Sequence, residues 1–271
     1  ALILLTPFEE ASSFWILNSF HPQDKVALLA ENRTDWPVSD LGIISAGLVN
    51  VPLYPTLTGV QIAYILNDSG SKALIVSKQV HLDKIAEIYQ EVPTLEYVVV
   101  MDEFQPISLG NIRLLSYQQM IEEGREALPE TQSEREQRLT NAQEEDLVSI
   151  VYTSGTTGNP KGVMLTHRNF ASNAQTVASL VETSPDAVSM SFLPLSHVLE
   201  RVVHYTIQYK GTTIAYAENF ETIGQNLQEV KPEMFAAVPR IFEKIYNKIL
   251  AGVEASSPIK QKIFKWALGV G

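Results

Sequence analysis

Short apolar β-type runs alternate with segments of helical period along most of the chain, and this alternation dictates an α/β architecture. Residues 25–30, 72–77 and 96–101 read as strands. Residues 38–46 read as a helix of small and apolar side chains. Residues 59–67 carry Ile62, Ile65 and Leu66 at helical spacing, with Gly70 as a C-terminal stop, and 80–90 form a further helix. Strand–helix–strand units imply parallel strands covered by helices. The pattern resumes after residue 147. Strands are expected at 147–152, 163–165, 188–193, 212–217 and 234–238. Helices are expected at 167–180 behind the cap Thr166, at 196–209, at 221–230, and from Pro239 to about 250, with a helical tail over 256–266. Residues 124–145 break the pattern. They are rich in Glu, Gln and Arg and read as an exposed helix or mobile linker.

Composition narrows the class. Hydrophobic residues make up 45% of 271 and charged residues 19%, a globular balance with enough chain for a large core. The net charge of −11 opposes nonspecific binding to nucleic acid or anionic lipid, so any anion site must build its positive potential locally. With no cysteine, disulfides, thiolate metal sites and cysteine nucleophiles are excluded, which fits a cytoplasmic protein. The apolar runs are too short to span a bilayer. Ala1–Leu5 lacks the basic region and cleavage site of a signal peptide. The chain starts without Met and stops at Trp266-Ala-Leu-Gly-Val-Gly271, and it reads as a fragment.

The chemistry concentrates in Val151-Tyr152-Thr153-Ser154-Gly155-Thr156-Thr157-Gly158-Asn159-Pro160-Lys161-Gly162-Val163. An apolar strand feeds a loop of Ser, Thr and Gly that closes on a lysine. Gly155, Gly158 and Gly162 let the backbone approach an anion with positive φ. Thr153, Ser154, Thr156 and Thr157 add hydroxyls, successive N–H groups can converge on one concavity, and Lys161 supplies a compact cation. The spacing is not that of the common P-loop, where four residues separate the glycines and Lys precedes Ser or Thr. That argues against a kinase or NTPase releasing γ-phosphate. The competing reading of the segment is a plain surface turn.

His197 follows a strand and Pro194 at the mouth of a helix, where α/β proteins place ligand contacts; the alternative is a capping or core histidine. Glu200 and Arg201 lie one turn on and can pair with each other or with neighbours. His167 and Arg168 read as structural or solvated. Arg240 is either a nucleotide contact or architectural, and Tyr54 and Tyr64 are core or rim aromatics. No zinc spacing and no Gly-x-Ser-x-Gly elbow occurs.

The run from Tyr152 to Val163 resembles the phosphate-loop signature of the acyl-adenylate-forming enzymes, a superfamily of acyl-CoA synthetases, peptide-synthetase adenylation domains and luciferases. Asn50-Val-Pro-Leu-Tyr-Pro-Thr56, Phe192-Leu-Pro-Leu-Ser-His-Val-Leu-Glu-Arg201 and Val238-Pro-Arg-Ile-Phe-Glu-Lys244 are similar to the long-chain fatty acid CoA ligase branch, so the resemblance covers about residues 25 to 250.

The resemblance implies a partial N-terminal AMP-binding domain over 1–271, with stacked αβ subdomains and mixed, mainly parallel sheets. The first subdomain would cover about 50–190. An incomplete second would combine about 1–49 with 191–271. It implies ATP-dependent adenylation of a long-chain carboxylate and transfer to the thiol of CoA, or of a carrier protein, with ATP, magnesium, CoA and fatty acid as cofactors and partners. A noncatalytic nucleotide-binding module is the alternative. By the same resemblance, Lys161 and His197 are catalytic, Thr153, Ser154, Gly155, Thr156, Thr157, Gly158 and Lys161 bind the nucleotide, and Thr156 is a magnesium ligand. Val198, Leu199, Val202 and Val203 would either wall an acyl tunnel or pack in the core. The Tyr-Gly-x-Thr-Glu and Thr-Gly-Asp segments for adenine, magnesium and ribose do not occur, nor do the hinge and C-terminal lysine. The fragment alone is therefore expected to be inactive and prone to self-association, with peripheral membrane association left open.

Overall fold

A computed structural model describes residues 2–153, 159–184, 186–219 and 221–270. Its larger sheet has the strand order β5-β4-β3-β1-β2-β6-β7. At its centre are β1 (Lys25–Leu29), β2 (Val49–Leu53) and β3 (Ser71–Val76); β4 (Tyr97–Val100) and β5 (Arg113–Ser116) extend one side, and β6 (Leu147–Thr153) and β7 (Lys161–Thr166) the other. Every pairing is parallel except β6 with β7. The expected parallel βαβ units are present, but the glycine-rich loop does not cross from one βα unit to the next. It joins the arms of an antiparallel hairpin.

The apolar runs of the central strands have a direct cause. Successive side chains on a strand point to opposite faces, so a strand covered on both sides must be apolar throughout. Ala27, Leu29, Leu74 and Val76 face α3 (Gly59–Ser69) and α4 (Gln79–Ile88), through Ile62, Leu66, Leu82 and Ile85. Val26, Leu28, Ala73 and Ile75 face the other way, onto Phe14 and Trp15 of α1 (Leu2–Leu17), Trp36 and Ile43 of α2 (Asp35–Ser45) and Met120 of α5 (Tyr117–Asn141). Local signals set the ends. Thr58 and Gln61 form a capping box before α3, and Gly70 closes it at φ 65° in the left-handed region.

The charged segment 124–145 is neither solvated all round nor a linker. Residues 117–141 form α5, and Tyr117, Met120, Gly124, Ala127 and Thr131 make a buried stripe at helical spacing. It packs on α1, whose fold role the sequence left unread. Arg125 Nε donates to Glu10 Oε1 at 2.8 Å, and Thr131 Oγ1 to Ser13 Oγ at 2.9 Å. The stripe is poor in large apolar side chains because the two backbones come too close to admit them.

The second sheet, ordered β10-β8-β9, is parallel. It contains β8 (Val188–Ser191), β9 (Thr213–Tyr216) and β10 (Met234–Phe235), and is flanked by α6 (His167–Leu180), α7 (Val198–Lys210), α8 (Ile223–Val230) and α9 (Pro239–Glu254); α10 (Pro258–Val270) follows. The expected grouping of residues 1–49 with this sheet is not what the strands do. β1 lies hydrogen-bonded between β2 and β3 in the larger sheet, and the smaller sheet starts only at Val188. The reason is the run of residues 26–29, apolar and buried on both faces as a central strand requires. α9 and α10 present Phe242, Tyr246, Ile249, Ile259, Ile263 and Trp266 as exposed apolar side chains.

A Cβ added to Gly124 would sit 1.9 Å from the carbonyl oxygen of Glu10. Gly124→Ala should therefore force α1 from α5 and destabilise by about 1–3 kcal/mol, outweighing its gain in helix propensity. Urea unfolding should show a lower midpoint at unchanged slope; a midpoint equal to or above the parent's would contradict this close packing.

Candidate active site

The parallel strands β1 to β6 end on one edge of the larger sheet, and the lysine loop leaves from it. Thr153 ends β6, and Lys161 opens β7 directly opposite as its register partner; both are exposed. Ser154, Gly155, Thr156, Thr157 and Gly158 lie outside the described residues. What is described is the frame of the loop, two arms tied by a continuous antiparallel ladder from Val151↔Val163 to Thr153↔Lys161.

Gly162 serves another purpose than the one expected. It lies in extended β7 opposite Tyr152, and a Cβ there would fall 2.7 Å from Ile150 Cγ2 and 3.1 Å from Tyr152 Cζ. The glycine makes room for the cross-strand ring. The Tyr152 hydroxyl then donates to Asp68 Oδ2 at 2.6 Å, tying the hairpin to α3. A glycine after the lysine is needed here for packing of the arms rather than for positive φ beside an anion.

His197 caps α7. Its Nδ1 accepts from the Leu199 N–H at 3.2 Å, which leaves the proton of the neutral ring on Nε2, and the residue is exposed. The capping role and an accessible ring coexist. Leu199 and Val198 are also exposed, at 42% and 38%, and Val202 and Val203 are half-buried, so this face of α7 is not plain core.

One turn further on, Glu200 and Arg201 are both buried and do not pair with each other. Arg201 Nη2 donates to Asp40 Oδ1 at 2.5 Å, Nε to Asp40 Oδ2 at 3.1 Å, and Nη1 to Ser149 Oγ at 2.6 Å. The Tyr205 hydroxyl donates to Asp40 Oδ2 at 2.5 Å, and Asn50 Nδ2 to Asp40 Oδ1 at 2.6 Å. The guanidinium lies 4.8 Å from the Phe170 ring centroid and 5.8 Å from that of Trp36. Burial opposes the Arg201 charge, but Asp40 and Tyr205 more than offset it and raise the pKa. The network joins α2, β2, β6, α6 and α7.

Glu200 Oε1 accepts from Ser191 Oγ at 2.5 Å. His204, also buried, has Nε2 2.6 Å from the Tyr216 hydroxyl, and burial lowers its pKa to about 4, so it is neutral at physiological pH. Sequence reading missed Asp40, Ser149 and His204; a buried polar residue between apolar neighbours carries no periodic signal. His167 is half-buried, with its pKa lowered by burial, and Arg168 pairs with Glu144 and Glu145 at the surface, both as expected. Arg240 lines a cavity of about 620 Å³ that opens beside Leu193, with Val238 and Ile241. A cavity of about 400 Å³ lies at the opposite edge of the larger sheet, by Gln23, Gly47 and Leu147, away from the lysine loop. Among the described residues no cluster of three His, Asp or Glu side chains is arranged to hold a metal, and no helix is long and apolar enough to cross a membrane.

Burial raises the Glu200 carboxyl from 4.5 to about 7, against the lowering effect of the Ser191 hydrogen bond. Folding thus favours the protonated acid. That contribution is complete below pH 4.5 and is lost as pH rises through 7. Glu200→Gln should match the parent near pH 4.5 and exceed its stability at pH 8, by up to about 3 kcal/mol. Urea unfolding at the two pH values checks this; a difference independent of pH would show that the carboxyl does not titrate there.

The profile of the family described as AMP-binding enzyme matches residues 13–265. A peroxisomal long chain acyl-CoA synthetase of Arabidopsis thaliana is 31% identical over 250 residues, covering 90% of this chain and 34% of that protein. A long-chain-fatty-acid–CoA ligase of Homo sapiens is 29% identical over 249 residues, with 89% and 35% covered. The chain therefore spans about a third of the length of such relatives. Among solved structures, a long-chain-fatty-acid–CoA ligase from Archaeoglobus fulgidus superposes with a TM-score of 0.74 at 23% identity, over 92% of this chain and 47% of that one. The adenylation domain of a carboxylate reductase from Mycobacterium chelonae does so with a TM-score of 0.79 at 22% identity, over 96% and 42%. These likenesses agree with the mainly parallel sheets: the chain belongs to the AMP-binding enzyme family, and the relatives named are long-chain acyl-CoA synthetases.

Proposed function

We propose that a full-length protein carrying this chain activates long-chain fatty acids, first joining the carboxylate to AMP at the expense of ATP and then passing the acyl group to the thiol of CoA. The observation that carries this reading is the lysine loop: its lysine is exposed, and its arms are fixed at the C-terminal edge of a parallel sheet, where α/β proteins bind ligands. The relatives named above support the acyl substrate and the ligase chemistry.

In the first step a carboxylate oxygen attacks the α-phosphorus of ATP, and the bond to the bridging oxygen of pyrophosphate breaks. The residues supply charge and alignment. Lys161, at the mouth of the hairpin, neutralises charge on the β- and γ-phosphates, and Thr153 stands opposite it. Ser154, Gly155, Thr156, Thr157 and Gly158 complete the phosphate contacts. Thr156 is assigned to magnesium, which takes hard oxygen ligands and, when bound, spreads the charge leaving with pyrophosphate. His197, exposed at the start of α7 with its Nε2 proton free to donate, orients the carboxylate. The half-exposed apolar face of Val198, Leu199, Val202 and Val203 accommodates acyl carbons. In the second step the CoA sulfur attacks the acyl carbon and AMP leaves.

Fatty-acid-dependent exchange of pyrophosphate into ATP, measured on a full-length protein, tests the reading. Lys161→Ala should slow it by about 10²-fold, as loss of one preorganised donor does, with little change in stability because the lysine is exposed. Wild-type exchange in Lys161→Ala would remove the lysine from the phosphate site. ATP binding without any acid-dependent exchange would favour a noncatalytic nucleotide-binding module, and acyl-adenylate made without transfer to CoA would favour a carrier-protein thiol as acceptor.

The 271-residue chain on its own is expected to make no acyl-CoA, because it contains no segment for adenine or ribose. Its exposed apolar faces on α9 and α10 should drive self-association. Calorimetry with magnesium–ATP and light scattering check both; micromolar affinity in a clean monomer would show the chain to be a self-sufficient module.

A further inference from the structure

The turn between β1 and α2 is held at three consecutive side chains. Glu31 accepts from Ser77 Oγ at 2.5 Å and from Lys78 Nζ at 3.1 Å, and faces His81 Nε2 at 3.4 Å, so it is bound to the end of β3 and the start of α4. Arg33 donates to Asp35 at 2.8 Å and to Asp102, beyond β4, at 2.7 Å. Between them, Asn32 reaches out of the larger sheet into the smaller one. Its Nδ2 donates to Leu193 O at 2.6 Å and to Ser191 Oγ at 3.2 Å, and its Oδ1 accepts from Leu195 N at 2.9 Å. Both amide hydrogens and the carbonyl oxygen are thus used within residues 191–195, the segment that leads into His197. Ser191 continues the chain of bonds to Glu200 on α7.

This turn stands where the strand order reverses. The chain steps from β1 to β2 on one side and then returns past β1 to β3 on the other. Connections diverge there, and the crevice they leave at the carboxyl ends of the strands is where open α/β sheets bind ligands. Among the described residues His197 has no comparable tether of its own: its ring makes one bond, to its own helix.

We propose that Asn32 is the positioning residue for His197: a side-chain amide, clamped through Glu31 and Arg33 to the larger sheet, that fixes the loop of residues 193–197 and so sets where the histidine meets the reacting carboxylate. This rests on the adenylation reading above. Removing the amide frees Leu193 O and Leu195 N and lets the loop shift, and a displacement of about 1 Å at a reacting group costs on the order of 10²-fold.

The test is a double-mutant cycle on a full-length protein, reading fatty-acid-dependent pyrophosphate–ATP exchange. Asn32→Ala, and Asn32→Ser which keeps one short polar group, should each lower kcat by about 10- to 10²-fold while KM for ATP stays within about twofold. In the His197→Ala background the same changes should cost less than about twofold further, because residues acting as one unit are not additive. Multiplied losses in the two backgrounds, wild-type rates in both Asn32 variants, or failure of both to fold would each overturn the positioning role. A wild-type protein inert in exchange would overturn the adenylation reading and this inference with it. Active wild type with multiplied losses overturns only the role of Asn32.

Discussion

The molecule depends on one buried charge pair. Arg201 and Asp40 are both almost wholly withdrawn from solvent, each 1% exposed. Isolated burial of either ion would cost several kcal/mol, and even a paired bridge is often no more stable than apolar residues of equal volume. What this pair adds is direction. The hydrogen bonds among Ser149, Asn50, Tyr205, Arg201 and Asp40 converge in one arrangement, and the guanidinium is satisfied only when α7 sits in one register against β2 and β6. Apolar contact alone would leave α7 free to slide along the sheet. Removing either partner strands the other charge, an effect of about 3–5 kcal/mol.

The division of labour at the site follows from that anchoring. α7 carries the anchor at Arg201 and the candidate histidine one turn earlier, at its exposed start. Asn32 fixes the approach to that start from the opposite direction. The chain as a whole is acidic, so a cation proposed to meet phosphate must stand clear of its neighbours, and Lys161 is exposed at the end of an edge hairpin. Groups that could have been mistaken for acid–base machinery are held differently. His204 is stacked against Tyr216 and kept neutral by burial, and Glu31 is saturated by three partners that, with His81 foremost, hold its pKa well below the carboxylate range.

Much of this was legible in the sequence, and the failures have physical reasons. Strands 25–29, 71–76 and 97–100 and the helix from His167 to Leu180 lie within a residue or two of expectation, because their apolar runs and caps are local signals. The direction of β7 was not legible. A run of three or four apolar residues pairs either way, and only the register Tyr152↔Gly162 decides it. α5 looked solvated because Gly124, Ala127 and Thr131 bury backbone rather than large side chains. The placement of residues 1–49 erred because sheet membership is a non-local property. Lys161 and His197 stood out in the sequence as candidates by their spacing; Asp40 and Asn32 did not, since their bonds to Arg201 and to Leu193 reach partners some 160 positions away.

The antiparallel ladder has a consequence for how the loop can change. Side chains alternate along β7, so a slip of one residue would turn Lys161 to the wrong face and push a side chain into the space that Tyr152 occupies over Gly162. The ladder therefore fixes the lysine independently of whatever lies between Thr153 and Lys161. As long as that register holds, Lys161 stays opposite Thr153. Where the cation stands is thus a property of the sheet, written into two strands and the ring that packs between them.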